Sequence, residues 1–89
     1  MTVRKHFRAH GHVQGVIFRD TVRKEAARRG VAGWARNCED GTVEGVFEGD
    51  DEPVRELLDL CRAGPGRAFT TRLDVADEEP EGLSDFQIA

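Results

Sequence analysis

Arg19 and Asn37 are the two side chains in this sequence best suited to chemistry on an anion. Arg19 ends the run Gly11-His12-Val13-Gln14-Gly15-Val16-Ile17-Phe18-Arg19, a two-glycine turn between a strand-like and a helix-like stretch. Backbone N–H groups gathered where a helix begins, beside a fixed positive charge, form a socket for phosphate. Gly15 permits backbone angles closed to other residues and removes bulk where an anion must approach. The amides of Gln14, Gly15, Val16, Ile17 and Phe18 can then converge on one oxyanion. The planar fork of Arg19 can hold two phosphate oxygens at once. A cation is mildly unfavourable at the positive end of a helix, so an arginine there calls for a compensating anion.

Asn37 lies in Gly33-Trp34-Ala35-Arg36-Asn37, followed by Gly41-Thr42-Val43. A carboxamide both donates and accepts, does not titrate, and can hold one water in a fixed orientation. Each feature alone has a plainer reading. A glycine before a helix can be a tight connection, a single arginine can form a surface ion pair, and an asparagine before a turn is commonly a turn residue. No Gly-Lys-Ser/Thr follows the loop, so it is not a Walker loop.

The elements that must position these residues are legible from periodicity. Val3, Lys5, Phe7 and Ala9 alternate with Arg4, His6, Arg8 and His10, which predicts a strand with one mostly apolar face. Phe18, Val22 and Ala26 recur every four residues, with Ala27 beside them and Gly30 as a left-handed stop, which predicts an amphipathic helix. Val31 to Asn37 and Thr42 to Gly49 predict two strands joined through Cys38-Glu39-Asp40-Gly41. Asp50-Asp51-Glu52-Pro53 predicts an acidic helix start. Val54, Leu57, Leu58 and Cys61 supply that helix with its stripe, and Gly64-Pro65-Gly66 ends it. Thr71, Leu73 and Val75 predict a fourth strand, Asp77 to Gly82 an acidic loop, and Phe86 with Ile88 a short last strand. The order β-α-β-β-α-β predicts an α+β, ferredoxin-like sandwich: an antiparallel sheet with both helices on one face.

Charge is divided along the chain. Residues 1–37 carry nine Lys or Arg against two acids, a net of +7, whereas residues 38–89 carry four Arg against fifteen acids, a net of −11. The basic third holds both candidate segments, so its field can draw in an anionic substrate. Most of its remaining cations, among them Arg23, Lys24, Arg28 and Arg29, read as solvated helix faces. A chain acidic overall, without tyrosine and with one tryptophan, does not read as a nucleic-acid binder. No apolar run approaches the length a membrane helix needs, and the basic start lacks an apolar stretch behind it, so a cytoplasmic protein without a membrane partner is expected. Cys38 and Cys61 lack metal-ligand spacing and read as reduced thiols. His6, His10 and His12 form no ligand constellation and read as surface residues of a strand and its following turn, so no metal site is expected.

The segments Gly11 to Arg19 and Gly33 to Val43, with Gly49 closing the second, resemble the two signatures of the acylphosphatase family. Their order, separation and flanking elements match over essentially the whole chain. The resemblance implies one domain over residues 1–89 that hydrolyses a small-molecule acyl phosphate to a carboxylate and inorganic phosphate, with neither metal nor cofactor. It implies that Arg19 holds the phosphate together with the amides of Gln14 to Phe18, and that Asn37 positions the attacking water. Cys38 departs from the small hydroxyl residue of many relatives, and Asp20 places an unusual acid directly after the arginine. The size and ordinary surface favour a monomer. The competing expectations are a non-catalytic module that binds phosphate or an acyl phosphate, and a ferredoxin-like RNA-binding domain. The absence of an aromatic platform on the first and third strands speaks against the latter.

Overall fold

The computed structural model describes residues 1–65 and 68–89, with the side chains of Val16 and Ile17 outside the description. Strand β1 spans Thr2–His12, helix α1 Val16–Arg28, β2 Ala32–Asn37, β3 Val43–Asp50, α2 Asp51–Ala63, β4 Phe69–Glu78 and β5 Phe86–Ile88. The strands form one sheet in the order β4-β1-β3-β2-β5. Phe18, Val22 and Ala26 of α1 share a single core with Val54, Leu57, Leu58 and Cys61 of α2, and with Phe7, Ala9, Ala35, Val43 and Phe47 of the sheet. Both predicted helix stripes are therefore buried, except that Ala27, read beside the α1 stripe, is exposed. The Phe7 and Phe47 rings stack at 4.7 Å between centroids, at the centre of that core. This is the ferredoxin-like α+β architecture.

The strict antiparallel expectation needs one correction. Strands β4, β1, β3 and β2 pair antiparallel, but β5 runs parallel to β2, with Gly33 opposite Phe86 and Ala35 opposite Ile88. The direction follows from where β4 ends. Arg4 pairs with both Glu78 and Glu48, and Ala32 with Glu48, so β4 finishes at the end of the sheet where β2 starts. A connection along that end delivers β5 in the same direction as β2.

Several boundaries and end contacts also differ from expectation. Asp77 and Glu78 continue β4 rather than opening a loop. They face basic β1 residues: Lys5 pairs with Asp77, and Arg4 Nε donates to Glu78 Oε1 at 2.9 Å. His12 belongs to β1, not to the turn. The strand continues past a register shift between His10 and Gly11, where Gly11 has φ 119° and an added Cβ would sit 2.2 Å from the Phe69 carbonyl oxygen. Asp50 caps α2 without a side-chain hydrogen bond, so it favours the helix start through its charge, as do Asp51 and Glu52 in the first turn; Asp51 also accepts from Arg55 at 2.5 Å. Helix α1 closes as predicted: Gly30 has φ 67°, its N–H donates to Ala27 O, and Val31 N–H donates to Ala26 O. The predicted stop after α2 includes Gly66, which lies outside the described residues.

The sheet face opposite the helices carries a charge lattice. Arg4 is only 6% exposed, donating to Glu48 at 3.2 Å and lying 3.5 Å from Glu81. Glu48 also accepts backbone N–H bonds from Glu81, Gly82 and Leu83, each at 2.8 Å. Burial pushes the Glu48 carboxyl up, but these amides and Arg4 outweigh it and hold it below the ordinary carboxylate range.

Candidate active site

Two chain segments meet at the end of the sheet where β1 and β2 finish: the β1–α1 connection and the β2–β3 turn. The connection from β1 into α1 is pinned by two buried side chains, Val13 and Phe18. Between them Gln14 and Gly15 are exposed, and α1 begins at Val16. Phe18 thus offers the site only its backbone, while its ring anchors the helix start in the core. Gly15 has φ 130°, closed to ordinary side chains, although among the described residues nothing lies within 4 Å of where a Cβ would stand. The constraint there is backbone conformation rather than space. Gly15 provides no side-chain cap, and the first turn of α1 contains no acid. The N–H groups of that turn have no partner within the helix.

Arg19 follows in the same turn, half-buried. Its Nε is buried, and among the described residues it has no hydrogen-bond partner. Its neighbour Asp20 turns along the helix surface instead. There it accepts from Arg23 at 2.5 Å and lies 3.1 Å from Lys24. Arg23, then Lys24, holds the Asp20 carboxyl below its ordinary value.

Asn37 is the exposed last residue of β2, opposite Val43. The turn after it is closed by its own hydrogen bonds. Cys38 N–H donates to Thr42 O at 2.8 Å, and Gly41 N–H to Cys38 O at 3.2 Å. The Thr42 hydroxyl and N–H both donate to Asp40 Oδ1, at 2.6 and 3.0 Å. Those two bonds, the hydroxyl's first, lower the Asp40 carboxyl. Arg8 Nη1 donates to the Thr42 hydroxyl at 2.9 Å. The thiol of Cys38 lies 3.9 Å from Glu44 Oε1, on a carboxylate that also accepts from Arg36 and contacts His6.

One side chain joins the two halves. The Gln14 carboxamide nitrogen donates to Cys38 O at 2.6 Å and to Thr42 O at 3.1 Å. The loop before α1 is therefore tied to the Cys38–Glu39 peptide, one link beyond Asn37. Sequence reasoning valued Gln14 for its backbone amide and missed this side-chain contact. It also passed over Asp40 and Thr42, although Asp-Gly-Thr is a recognisable side-chain-to-backbone turn signal. Among the described residues, no group of three or more His, Cys, Asp or Glu side chains is placed to hold a metal ion. Nor is any described helix long and apolar enough to cross a membrane.

Fold and local geometry define a ferredoxin-like α+β protein with a basic, uncapped helix start beside a hairpin turn. The sequence model of the acylphosphatase family matches residues 5–88. An acylphosphatase of Gloeobacter violaceus is 52% identical over 86 residues, covering 97% of this chain and 92% of the relative. One from Thermococcus kodakarensis is 51% identical, covering 97% and 94%. The crystal structure of acylphosphatase from Bacillus subtilis superposes with a TM-score of 0.92 at 32% identity, covering 98% of each chain. The chain belongs to the acylphosphatase family.

Proposed function

We propose that this chain hydrolyses an acyl phosphate to a carboxylate and inorganic phosphate at the β1–α1 loop. Family membership makes it a hydrolase acting on acyl phosphates; the assignment of roles to residues is the proposal. The phosphoryl oxygens bind the backbone amides of Gln14 to Phe18, in the loop before α1 and its first turn, and the guanidinium of Arg19. Asn37 orients a water in line with the departing carboxylate. The observation that carries this reading is the buried Arg19 Nε without a partner among the described residues, beside a helix start without an acid. A buried donor left unpaired costs about 1–3 kcal/mol, and a phosphate oxygen removes that cost.

This chemistry needs few groups. A carboxylate is already a stable leaving group, so no strong general acid is required. Phosphoryl transfer depends chiefly on positioning and on neutralising the charge of the equatorial oxygens. Each preorganised donor supplies roughly a hundred- to a thousand-fold in rate. On the same reading residues 1–89 act as one domain, as a monomer in the cytoplasm, and the acyl part faces solvent with little selectivity.

Steady-state hydrolysis of benzoyl phosphate in excess EDTA, with wild type beside Arg19→Gln, tests the proposal. Turnover by wild type and its loss in the variant is the expected result. Phosphate binding without turnover would identify a non-catalytic module, and strict metal dependence would exclude the mechanism.

A further inference from the structure

We infer that the side chain of Gln14 is a positioning residue, which holds the Asn37 turn in register with the phosphate-binding loop and acts on turnover through Asn37. This rests on the acyl phosphate reading above and adds a role to it. Both groups facing the carboxamide are backbone carbonyls, Cys38 O at 2.6 Å and Thr42 O at 3.1 Å. Carbonyls only accept, so the amide nitrogen faces them and both its N–H groups are engaged. The same carbonyls already accept within the turn, Thr42 O from Cys38 N–H and Cys38 O from Gly41 N–H. Gln14 therefore fills the second acceptor position of each. The turn closes through its own bonds and through the Asp40–Thr42 contact; what Gln14 adds is its placement relative to α1.

That placement bears on Asn37 because Cys38 O belongs to the peptide after the Asn37–Cys38 link. A shift of that carbonyl tilts the peptide carrying Asn37, whereas Arg19 and the first-turn amides are fixed separately by Phe18 in the core. A reacting group misplaced by about 1 Å can lose on the order of a hundredfold in rate. Removing Gln14's donors is therefore expected to lower kcat while leaving phosphate affinity nearly unchanged.

The test is a double-mutant cycle on benzoyl phosphate with Gln14→Leu, Asn37→Ala and the combination, with inorganic phosphate as the binding probe. Gln14→Leu is expected to lower kcat by about 10- to 100-fold. Its phosphate inhibition constant should change by less than about threefold. On the Asn37→Ala background it should cost less than about twofold more, because its effect passes through a residue already removed. Gln14→Asn keeps both donors on a shorter arm and should fall between Leu and wild type. In nuclear magnetic resonance spectra the Asn37 side-chain amide should shift in Gln14→Leu, while the Arg19 Nε–H resonance stays in place. Additive losses, or a loss of phosphate affinity instead of kcat, would overturn the inference while leaving the hydrolase reading intact. A wild type without turnover would overturn both.

Discussion

The Asp20 carboxylate accepts a 2.5 Å hydrogen bond from Arg23 and does not approach Arg19 as a partner. An acid directly after the arginine could compete with a ligand for the guanidinium. Its charge is instead engaged by Arg23 and Lys24, on the helix surface. Asp20→Asn is therefore expected to keep kcat/KM within about threefold of wild type at 0.15 M salt, where exposed charges are largely screened. Below 0.02 M salt a modest rise is expected, since one negative charge near the loop is gone. Kinetics at the two ionic strengths check this; a tenfold gain in phosphate affinity at physiological salt would show that Asp20 opposes the ligand directly.

Arg19→Met separates function from stability. Turnover should fall roughly a hundred- to a thousand-fold, the scale of one lost electrostatic donor. The melting temperature should not fall, because the substitution removes a buried donor with no partner among the described residues. Inorganic phosphate should raise the melting temperature of wild type and leave the variant unmoved. Thermal melts with and without 10 mM phosphate (about that concentration suffices for a millimolar site) read both effects; a variant several degrees less stable would assign Arg19 a structural role.

Asn37→Ala should show the opposite kinetic pattern to an affinity mutant. Asn37 is exposed at the end of β2, so its truncation leaves the core untouched. We expect kcat to drop about a hundredfold or more while phosphate inhibits as it does in wild type. Near-normal turnover would remove the water-orienting role.

Acid should weaken the fold through Glu48. Its carboxyl is held below the ordinary range in the folded protein, so its contribution is complete above the unfolded value, near 4.3, and is lost as pH falls through the folded value. Glu48→Gln should cost about 3 kcal/mol at pH 7, the scale of breaking a buried pair. The difference from wild type should be constant between pH 7 and 5, then shrink below about pH 4. Denaturant titrations across that range check the convergence; a difference growing with acidity would reverse the assigned sign.

Much of this architecture follows from local pattern. The α2 stripe Val54, Leu57, Leu58 and Cys61 is wholly buried because four-residue spacing admits one core-facing side. Gly30 ends α1 in the left-handed region because little else adopts it cheaply. What escaped the sequence is long-range pairing. Asp77 and Glu78 look like loop residues until Lys5 and Arg4 of a strand more than seventy residues away neutralise them. The parallel setting of β5 depends on which edge the chain reaches, and three residues cannot encode that. At the site, Arg19 stood out because a cation is unfavourable at a helix start, and Asn37 only through the family signature that its segment resembles. Gln14 did not, since its acceptors lie 24 and 28 residues downstream and are carbonyls that every residue possesses.

Glu48 gives this molecule its own internal counterexample. Three consecutive backbone amides converge on that carboxylate, an anion cradle that the chain fills from within and thereby spends on stitching its last segment to the sheet. At the start of α1 the same chain withholds any acid of its own from the first turn. On the proposed reading, scaffold and reactive centre differ by one decision made at two ends of a sheet: whether the negative charge is covalently owned or must arrive by diffusion.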